Sequence, residues 1–142
     1  MSVQASLEID FEAYSDKLFD VIKLFNDNGW IFKNEVMEYL SDFDDDVEWH
    51  SEKLVYSKLN EIISSKQNAG KTSAVRLYDL YSDAVVELAA SETNKVSLWI
   101  DINRKRIEGE RYTDASWYIQ NIVGRINKQK FVIQHFVFEE FE

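Results

Sequence analysis

The sequence predicts an α+β fold in which about three helices pack on a mainly antiparallel sheet. Apolar and polar side chains alternate strictly over residues 3–11 and again over 95–104, which is typical of half-buried strands. Stripes of apolar residues at helical spacing begin near residues 11 and 113. The joins between the central strands are short, which favours hairpins over β-α-β crossovers. The predicted order is β-α-β-β-α-β-β-β-α-β, and since no linker or repeat divides the chain, residues 1–142 are predicted to form a single domain.

The first half of the chain is predicted to hold a strand, a helix and two further strands. The helix follows the first strand, with Asp10 as its N-cap and Asn28-Gly29 at its end. The pattern of the second strand slips near Asn34, which indicates a bulge or break there. Residues 41–46 (SDFDDD) are predicted to be a loop. The three strands are expected at 3–11, 30–40 and 47–50.

The second half is predicted to begin with a helix that is capped by Ser51 or Ser57 and ends before Gly70. Strands are then expected at 74–81, 84–90 and 95–104, with a hairpin turn at Tyr81-Ser82-Asp83. Thr113 or Asp114 is expected to cap the third helix. Residues 130–138 are apolar on both faces, which predicts an inner strand or one covered on both sides.

Composition excludes several classes of function. The chain has no cysteine, so disulfides, thiolate catalysis and cysteine-based metal sites are excluded. Its four glycines build neither a G-x-G-x-x-G motif nor a P-loop. The start of the sequence does not resemble a signal peptide, and no apolar run is long enough for a transmembrane helix. We therefore expect a cytoplasmic protein.

The net charge of −10 is concentrated in one part of the sequence. Residues 1–56 carry 14 acidic and 4 basic side chains, whereas residues 57–142 carry 12 of each. Such a charge repels nucleic-acid phosphates and anionic membranes, so neither is expected as a partner. It attracts a positively charged partner. The alternative is that the acidity only keeps the protein soluble.

The richest cluster of charged residues follows residue 41 and is predicted to be a binding site for a protein. Clustered carboxylates accept charge-assisted hydrogen bonds from lysine and arginine, and aromatic residues among them are candidate anchors. The alternative is a solvated acidic loop beside a strand whose tryptophan lies in the core. The predicted contacts are the carboxylates Asp42, Asp44, Asp45, Asp46, Glu48 and Glu52, and the aromatic residues Tyr39 and Trp49.

Calcium binding and catalysis at this cluster are both disfavoured. Asp42, Asp44 and Asp46 match positions 1, 3 and 5 of an EF-hand loop, but position 6 is Val47 and position 12 is Lys53. A run of exposed aspartates does not indicate two carboxyl groups with separated pKa values. The only histidines, residues 50 and 135, show no metal-ligand or triad spacing, and the second lies in an apolar strand, where a core histidine is expected. No catalytic residue, metal or cofactor is predicted.

Three segments resemble the immunity proteins of bacterial contact-dependent growth inhibition and related polymorphic toxin systems. They are DDDVEWHSEKL (44–54), SLWIDINRKRIE (97–108) and TDASWYIQNIV (113–123). The resemblance implies a protein that binds and neutralises the toxic C-terminal domain of a cognate effector inside the producing cell. Many such toxins are nucleases, which tend to be basic, so an acidic inhibitor suits them.

Two other classes of function remain as alternatives to a monomeric or weakly oligomeric inhibitor. One is a small enzyme or ligand-binding domain with an aromatic-lined pocket, which a cavity containing His50 or His135 beside a carboxylate would favour. The other is a homo-oligomeric adaptor in which exposed strand edges pair between subunits.

Overall fold

The computed structural model describes residues 3–12, 14–43, 46–126 and 132–141, and it confirms the predicted α+β class. The helices are α1 (Leu18–Asp27), α2 (Tyr56–Asn68) and α3 (residues 115–126), the last of which contains a π-helical turn at Ile119–Val123. The strands are β1 (Gln4–Phe11), β2 (Trp30–Ile31), β3 (Val36–Phe43), β4 (Asp46–Lys53), β5 (Ser73–Asp79), β6 (Val85–Ala90), β7 (Lys95–Trp99) and β8 (Ile133–Phe141).

These strands form one antiparallel sheet in the order β4-β3-β5-β6-β7-β1-β8, and β2 pairs with β5 beside β3. The middle of the sheet is built from hairpins, as the short joins predict. The N-terminal strand β1 lies between β7 and β8, so its two neighbours come from distant parts of the sequence. In the described part of the chain, β4 and β8 are the two edges.

The two faces of the sheet differ in composition. One face, called here the core face, is apolar, and its side chains form a single buried cluster with the inner sides of the three helices. Leu7, Leu88 and Leu98 are all fully buried on this face. The opposite face, called here the polar face, carries a row of side chains that crosses every strand of the main order. In order from β4 to β8 the row is Ser51, Glu38, Arg76, Glu87, Trp99, Ser6 and Glu139.

Helix α1 begins later than the sequence predicts. Asp10 belongs to strand β1, where it faces His135, so it does not cap the helix; Lys17 occupies the N-cap position. The apolar stripe of α1 is nevertheless buried as predicted, and the helix ends at Asn28, whose amide Nδ2 donates to Leu24 O. Gly29 follows with φ +94°, a conformation that side chains rarely adopt.

The break predicted near Asn34 is confirmed. A short 3-10 turn, Lys33–Glu35, separates β2 from β3, and both Asn34 and Glu35 have positive φ values, 58° and 57°. The turn shifts the chain, so β2 and β3 pair with different parts of the same neighbour, β5. Glu35 O accepts a hydrogen bond from Leu54 N (2.7 Å), which fixes the turn against the end of β4.

The caps of the two later helices differ from each other in kind. The N-cap of α2 is Val55, without a side-chain bond; Ser51 is a strand residue and Ser57 lies inside the helix, so both predicted caps are wrong. Of the two predicted caps for α3, Asp114 is the one that caps the helix, since its carboxylate accepts from Trp117 N (3.2 Å).

Two expectations about strands are wrong. Ser41–Phe43 continue strand β3 and Asp46 begins β4, so most of the predicted loop at 41–46 is hairpin. The last strand is an edge strand and is largely exposed, although its sequence predicted an inner one. His135 accordingly is not a core residue: its side chain is 63% exposed, and its Nδ1 lies 3.2 Å from Asp10 Oδ2.

A buried polar network joins helix α3 to the turn after β5. Asp79, whose side chain is 1% exposed, accepts from Arg125 Nη1 (2.8 Å) and from Ser82 Oγ (2.6 Å). The Arg125 guanidinium also donates to Asn121 Oδ1 (3.0 Å) and lies over the ring of Trp30. Because a buried charge needs a partner, this network fixes α3 on the sheet.

Candidate functional site

The predicted contact residues lie on the β3–β4 hairpin, at one edge of the sheet. Asp42 and Asp46 occupy strand positions in β3 and β4, while Asp44 and Asp45 lie outside the described residues. Residues 38–52 hold seven acidic side chains and no lysine or arginine. We call this segment the acidic hairpin.

Strand alternation divides the predicted contacts between the two faces of the sheet. Tyr39 stands opposite His50 on the core face, and Glu48 and Glu52 share that face because they lie two residues either side of His50. Trp49 is on the polar face, opposite Leu40. The structure therefore brings Tyr39, Glu48 and Glu52 together and separates them from Trp49.

On the core face, the hairpin and helix α2 line a cavity of about 600 Å³ that is open to solvent. This volume lies within the range of about 300–1,000 Å³ that is usual for small-molecule sites. Its walls combine aromatic, charged and apolar groups from both elements. The lining residues that matter most are Tyr39, His50, Glu52, Lys58, Ile62 and Lys66.

Glu52 is the central polar group of this cavity. Its carboxylate lies 2.7 Å from Lys58 Nζ and hydrogen-bonds with the Tyr39 hydroxyl. Burial raises the pKa of Tyr39 above its usual value, and the negative charge of Glu52 raises it further. The hydrogen bond to Glu52 also raises the pKa of Lys58. The cavity wall thus holds the Glu52–Lys58 ion pair beside the phenol of Tyr39.

His50 and Lys66 complete the cavity. The imidazole of His50 stacks on the Tyr39 ring, with 5.9 Å between centroids and an angle of 21°. Its Nε2 lies 3.8 Å from Glu48 Oε1, which is longer than a hydrogen bond. The Lys66 ammonium donates to Leu40 O (3.0 Å) from a largely buried position. This arrangement offers both hydrogen-bond donors and acceptors to a polar ligand.

Trp49 belongs to a second cluster, centred on Arg76 of the polar face. The Arg76 guanidinium lies 4.6 Å from the centre of the Trp49 ring. It donates to Glu38 Oε2 (2.6 Å) and to Glu87 Oε2 (2.8 Å). Burial lowers the pKa of Arg76, but the hydrogen bonds to Glu87 and Glu38 outweigh it and raise the pKa overall. Trp49 is therefore already occupied by an intramolecular cation–π contact.

Tyr78 extends this second cluster. Its hydroxyl donates to Glu38. Burial and this hydrogen bond raise the pKa of Tyr78 to about 12. Glu38 thus binds both a guanidinium and a phenol, which fixes the polar face of β3 against β5.

Several acidic residues of the first 56 are neutralised by cations from later in the chain. Glu8 binds Lys95 (2.7 Å), Glu38 binds Arg76, and Glu52 binds Lys58. The hairpin tip has no such cation in its own sequence, since residues 42–48 contain five acidic and no basic side chains. Ion pairs among the described residues thus offset part of the acidic excess of the first 56 residues.

The residues that sequence reasoning missed are Arg76, Glu87, Tyr78, Lys58 and Lys66. The spacing of Arg76 and Tyr78, two apart in a strand, does predict that they share a face. Their carboxylate partners come from other strands, however, and pairing across strands depends on a register that one sequence does not reveal.

The described side chains hold no cluster of three or more histidine, aspartate or glutamate residues arranged to bind a metal ion. The side chains of residues 42–47, which carry the partial EF-hand pattern, lie outside that description. None of the described helices is both long and apolar enough to cross a membrane. No protein-family model, curated protein or solved structure matches this chain.

Proposed function

We propose that this chain binds a basic protein through the acidic hairpin, and that its partner is the toxin domain of a polymorphic toxin system, which it neutralises as an immunity protein. The binding is steric and electrostatic: the carboxylates attract the partner and the hairpin covers its functional surface. This proposal involves no catalysis and no cofactor, and neither nucleic acid nor a membrane is a partner.

One observation carries the proposal. The acidic hairpin ends in a tip that has five acidic side chains and no basic one, and it lies at an edge of the sheet. Some carboxylates elsewhere in the first 56 residues, such as Glu8 and Glu38, meet the cations Lys95 and Arg76 from the rest of the chain. A partner cation is the group that suits the tip, and the resemblance to immunity proteins supplies the class of partner.

The roles of the predicted contacts differ by face. Asp42, Asp44, Asp45 and Asp46 at the tip, with Glu48, provide the electrostatic attraction. Glu52 and Tyr39 are a less accessible second layer, because they already bind Lys58 and stack on His50 respectively. Trp49 contacts a partner only through the part of its ring that Arg76 leaves exposed.

The proposal predicts a gene for a large secreted effector beside the gene for this chain, and the test is co-expression with the C-terminal domain of that effector. We expect the chain to restore growth and to bind the purified domain. The triple variant Asp42→Lys/Asp44→Lys/Asp46→Lys should slow association by about tenfold or more at low salt and flatten its salt dependence.

A matched control is Asp101→Lys/Glu108→Lys/Glu110→Lys, which makes the same change in net charge at three exposed positions far along the sequence. It should change the association rate much less than the hairpin variant does. If both triple variants slow association equally, the overall charge matters and the hairpin is not the contact. If the chain gives no protection at all, the proposed function is wrong.

A second candidate function is small-ligand binding in the cavity, because the structure places His50 beside Glu52 in a space of about 600 Å³. The mixture of ammonium, imidazole, phenol and carboxylate suits a polar or zwitterionic molecule. Free amino acids, citrate and inorganic phosphate are suitable probes.

Binding in the cavity would appear as changes in amide chemical shifts confined to β3, β4 and α2. Ser65→Trp, which places a large ring in the cavity from an exposed position on α2, should abolish those changes while the fold is retained. If no probe changes the spectrum at millimolar concentration, this second candidate loses its support.

A further inference from the structure

We propose that the exposed edge of β8 pairs with β8 of a second copy of this chain, in antiparallel orientation about a two-fold axis at Val137. This inference goes beyond the proposed function, because it concerns the edge of the sheet opposite the acidic hairpin. It follows from the hydrogen-bonding state of the edge, its exposure, and the self-complementarity of its sequence.

The free side of β8 presents regularly spaced main-chain groups. Phe11 N donates to Asn94 O (3.0 Å) and Ala5 O accepts from Ile100 N (2.9 Å), so odd-numbered residues of β1 face β7. Even-numbered residues of β1 therefore face β8, as the bond from Glu12 N to Val132 O (3.0 Å) illustrates. Their partners in β8 are the odd-numbered residues His135, Val137 and Glu139. The N–H and C=O groups of the even-numbered residues, 136, 138 and 140, are thus directed to the free edge.

This edge lacks most of the features that prevent strands from pairing between molecules. It is nine residues long, and it contains neither proline nor lysine. Three of its apolar side chains are substantially exposed: Phe136 at 38%, Val137 at 37% and Phe141 at 54%. In the described part of the chain, β8 pairs with β1 alone.

The sequence of β8 is self-complementary about Val137. An antiparallel pair centred there places His135 of one copy opposite Glu139 of the other, and both belong to the polar face, because their β1 partners, Asp10 and Ser6, do. The same register places Phe136 opposite Phe138 on the core face, and Gln134 opposite Glu140. An imidazole that hydrogen-bonds to a carboxylate and an aromatic pair are both stabilising contacts across strands.

Neighbouring registers are less favourable. An axis at Phe138 would place Glu139 opposite Val137 and Glu140 opposite Phe136. An axis at Phe136 would place the two glutamates opposite Ile133 and Val132. Both would put carboxylates against apolar side chains, so the axis at Val137 is the register that the charges select.

The resulting dimer would be a continuous sheet through two molecules, with an acidic hairpin at each outer end. A contact of one strand pair buries little surface, so we expect association in the micromolar range and exchange with monomer. Such a dimer binds two partners at once without covering either hairpin.

The first measurement is sedimentation equilibrium from about 5 μM to about 500 μM. The average mass should rise from that of one chain towards that of two. Val137→Lys, which opposes two like charges at the axis, should weaken dimerisation by about tenfold or more. Ser51→Lys, an exposed residue on the polar face of the opposite edge strand, should leave it unchanged. A mass that stays at one chain throughout overturns the proposal.

The second measurement tests the register and uses the absence of cysteine from the chain. In the proposed dimer the two copies of residue 137 form a non-hydrogen-bonded pair with Cα atoms about 4.5 Å apart, within disulfide range. Val137→Cys should therefore cross-link readily under mild oxidation. Glu139→Cys should not, since its two copies would be about 13 Å apart. Equal cross-linking of both variants, or cross-linking of neither, overturns the register. Neither result depends on toxin binding, so failure here leaves the proposed function intact.

Discussion

At the scale of single residues, the buried carboxylate of Asp79 is the centre of the network that joins α3 to the turn after β5. Burial raises the pKa of its carboxyl, but hydrogen bonds from Arg125, Ser82 and Tyr81 N outweigh that effect and hold the pKa below its usual range. The ionised form is therefore stabilised in the folded state. Arg125 in turn packs closely against Gly29, where an added Cβ would lie 3.1 Å from Nη1.

We expect Asp79→Asn to lower the free energy of unfolding by about 3 kcal/mol at neutral pH, because it leaves the partly buried Arg125 without its counter-charge. Chemical denaturation measures this directly. Asp101→Asn, a neutralisation at an exposed position, should change stability by less than about 0.5 kcal/mol. Equal effects of the two substitutions would contradict the role of the network.

The difference in unfolding free energy between wild type and Asp79→Asn should also depend on pH, in a direction that the pKa shift fixes. Because the pKa of Asp79 is lower when folded, its contribution is complete above the unfolded value of about 3.9 and is lost as pH falls through the folded pKa. The stability difference between wild type and Asp79→Asn should therefore shrink as the pH falls below about 4. A difference that stays constant into acid would exclude this assignment.

Residue-level prediction from sequence succeeded where the controlling contact was local. Asp114 was identified as a cap because the capping bond spans three residues. Asp10 was misassigned as a cap and His135 as a core residue, and these two contact each other across 125 positions. Their roles depend on which strands become neighbours, and a local pattern does not contain that information.

At the scale of elements, the turn at Lys33–Glu35 determines how β2 and β3 share the edge of β5. Two successive non-glycine residues with positive φ are unusual, since the left-handed conformation costs roughly 1–2 kcal/mol for a residue with a Cβ. After the turn, β3 pairs with both β4 and β5, and this pairing offsets the cost of the left-handed conformation.

We expect Glu35→Gly to raise the free energy of unfolding by about 0.5 kcal/mol, as relief of the left-handed conformation exceeds the extra flexibility that glycine gives the unfolded chain. Glu35 is exposed, and its contact with Leu54 is made by the backbone, so the substitution keeps that bond. Glu61→Gly, at an exposed position inside α2, should instead lose about 1 kcal/mol. Thermal unfolding of both variants would contradict this interpretation if Glu35→Gly were the more destabilising.

The position of the break near Asn34 was predictable from the sequence, because the alternation of side chains changes phase there. The hairpin over residues 36–53 was less predictable from the sequence. Four aspartates between residues 42 and 46 resemble a loop by composition, yet residues 41–43 and 46 take strand conformation because register with the partner strand overrides local preference.

At the scale of the whole molecule, cations from the later part of the chain neutralise some of the acidic residues in its first 56 positions. Carboxylates from the first 56 residues meet Lys58, Arg76 and Lys95 from the remainder, on both faces of the sheet. The sequence showed the sign and the approximate region of the excess charge. Two of the ion pairs that offset part of this charge, Glu38–Arg76 and Glu8–Lys95, join residues far apart in the sequence and emerge only with the fold.

The general architecture was predictable because alternation, helical stripes and short joins all indicate the same class. The order of strands in the sheet was not predictable, and the wrong prediction that β8 is an inner strand illustrates the reason. A strand that is apolar on both faces is expected to be internal. Here the chain places it at an edge, with Phe136, Val137 and Phe141 exposed.

The position of β1 between β7 and β8 has a consequence for the folding pathway. The β5–β6 and β6–β7 hairpins join near neighbours in sequence and can form early, because closing a short loop costs little entropy. β1 pairs with strands about 90 and 130 positions away, as in Ile9↔Val96 and Ile9↔Phe136. Its insertion is therefore a late step. Until β8 docks, β1 and β8 each have an unpaired edge. In the misassembled form that this topology favours, β1 of one molecule therefore pairs with β8 of another.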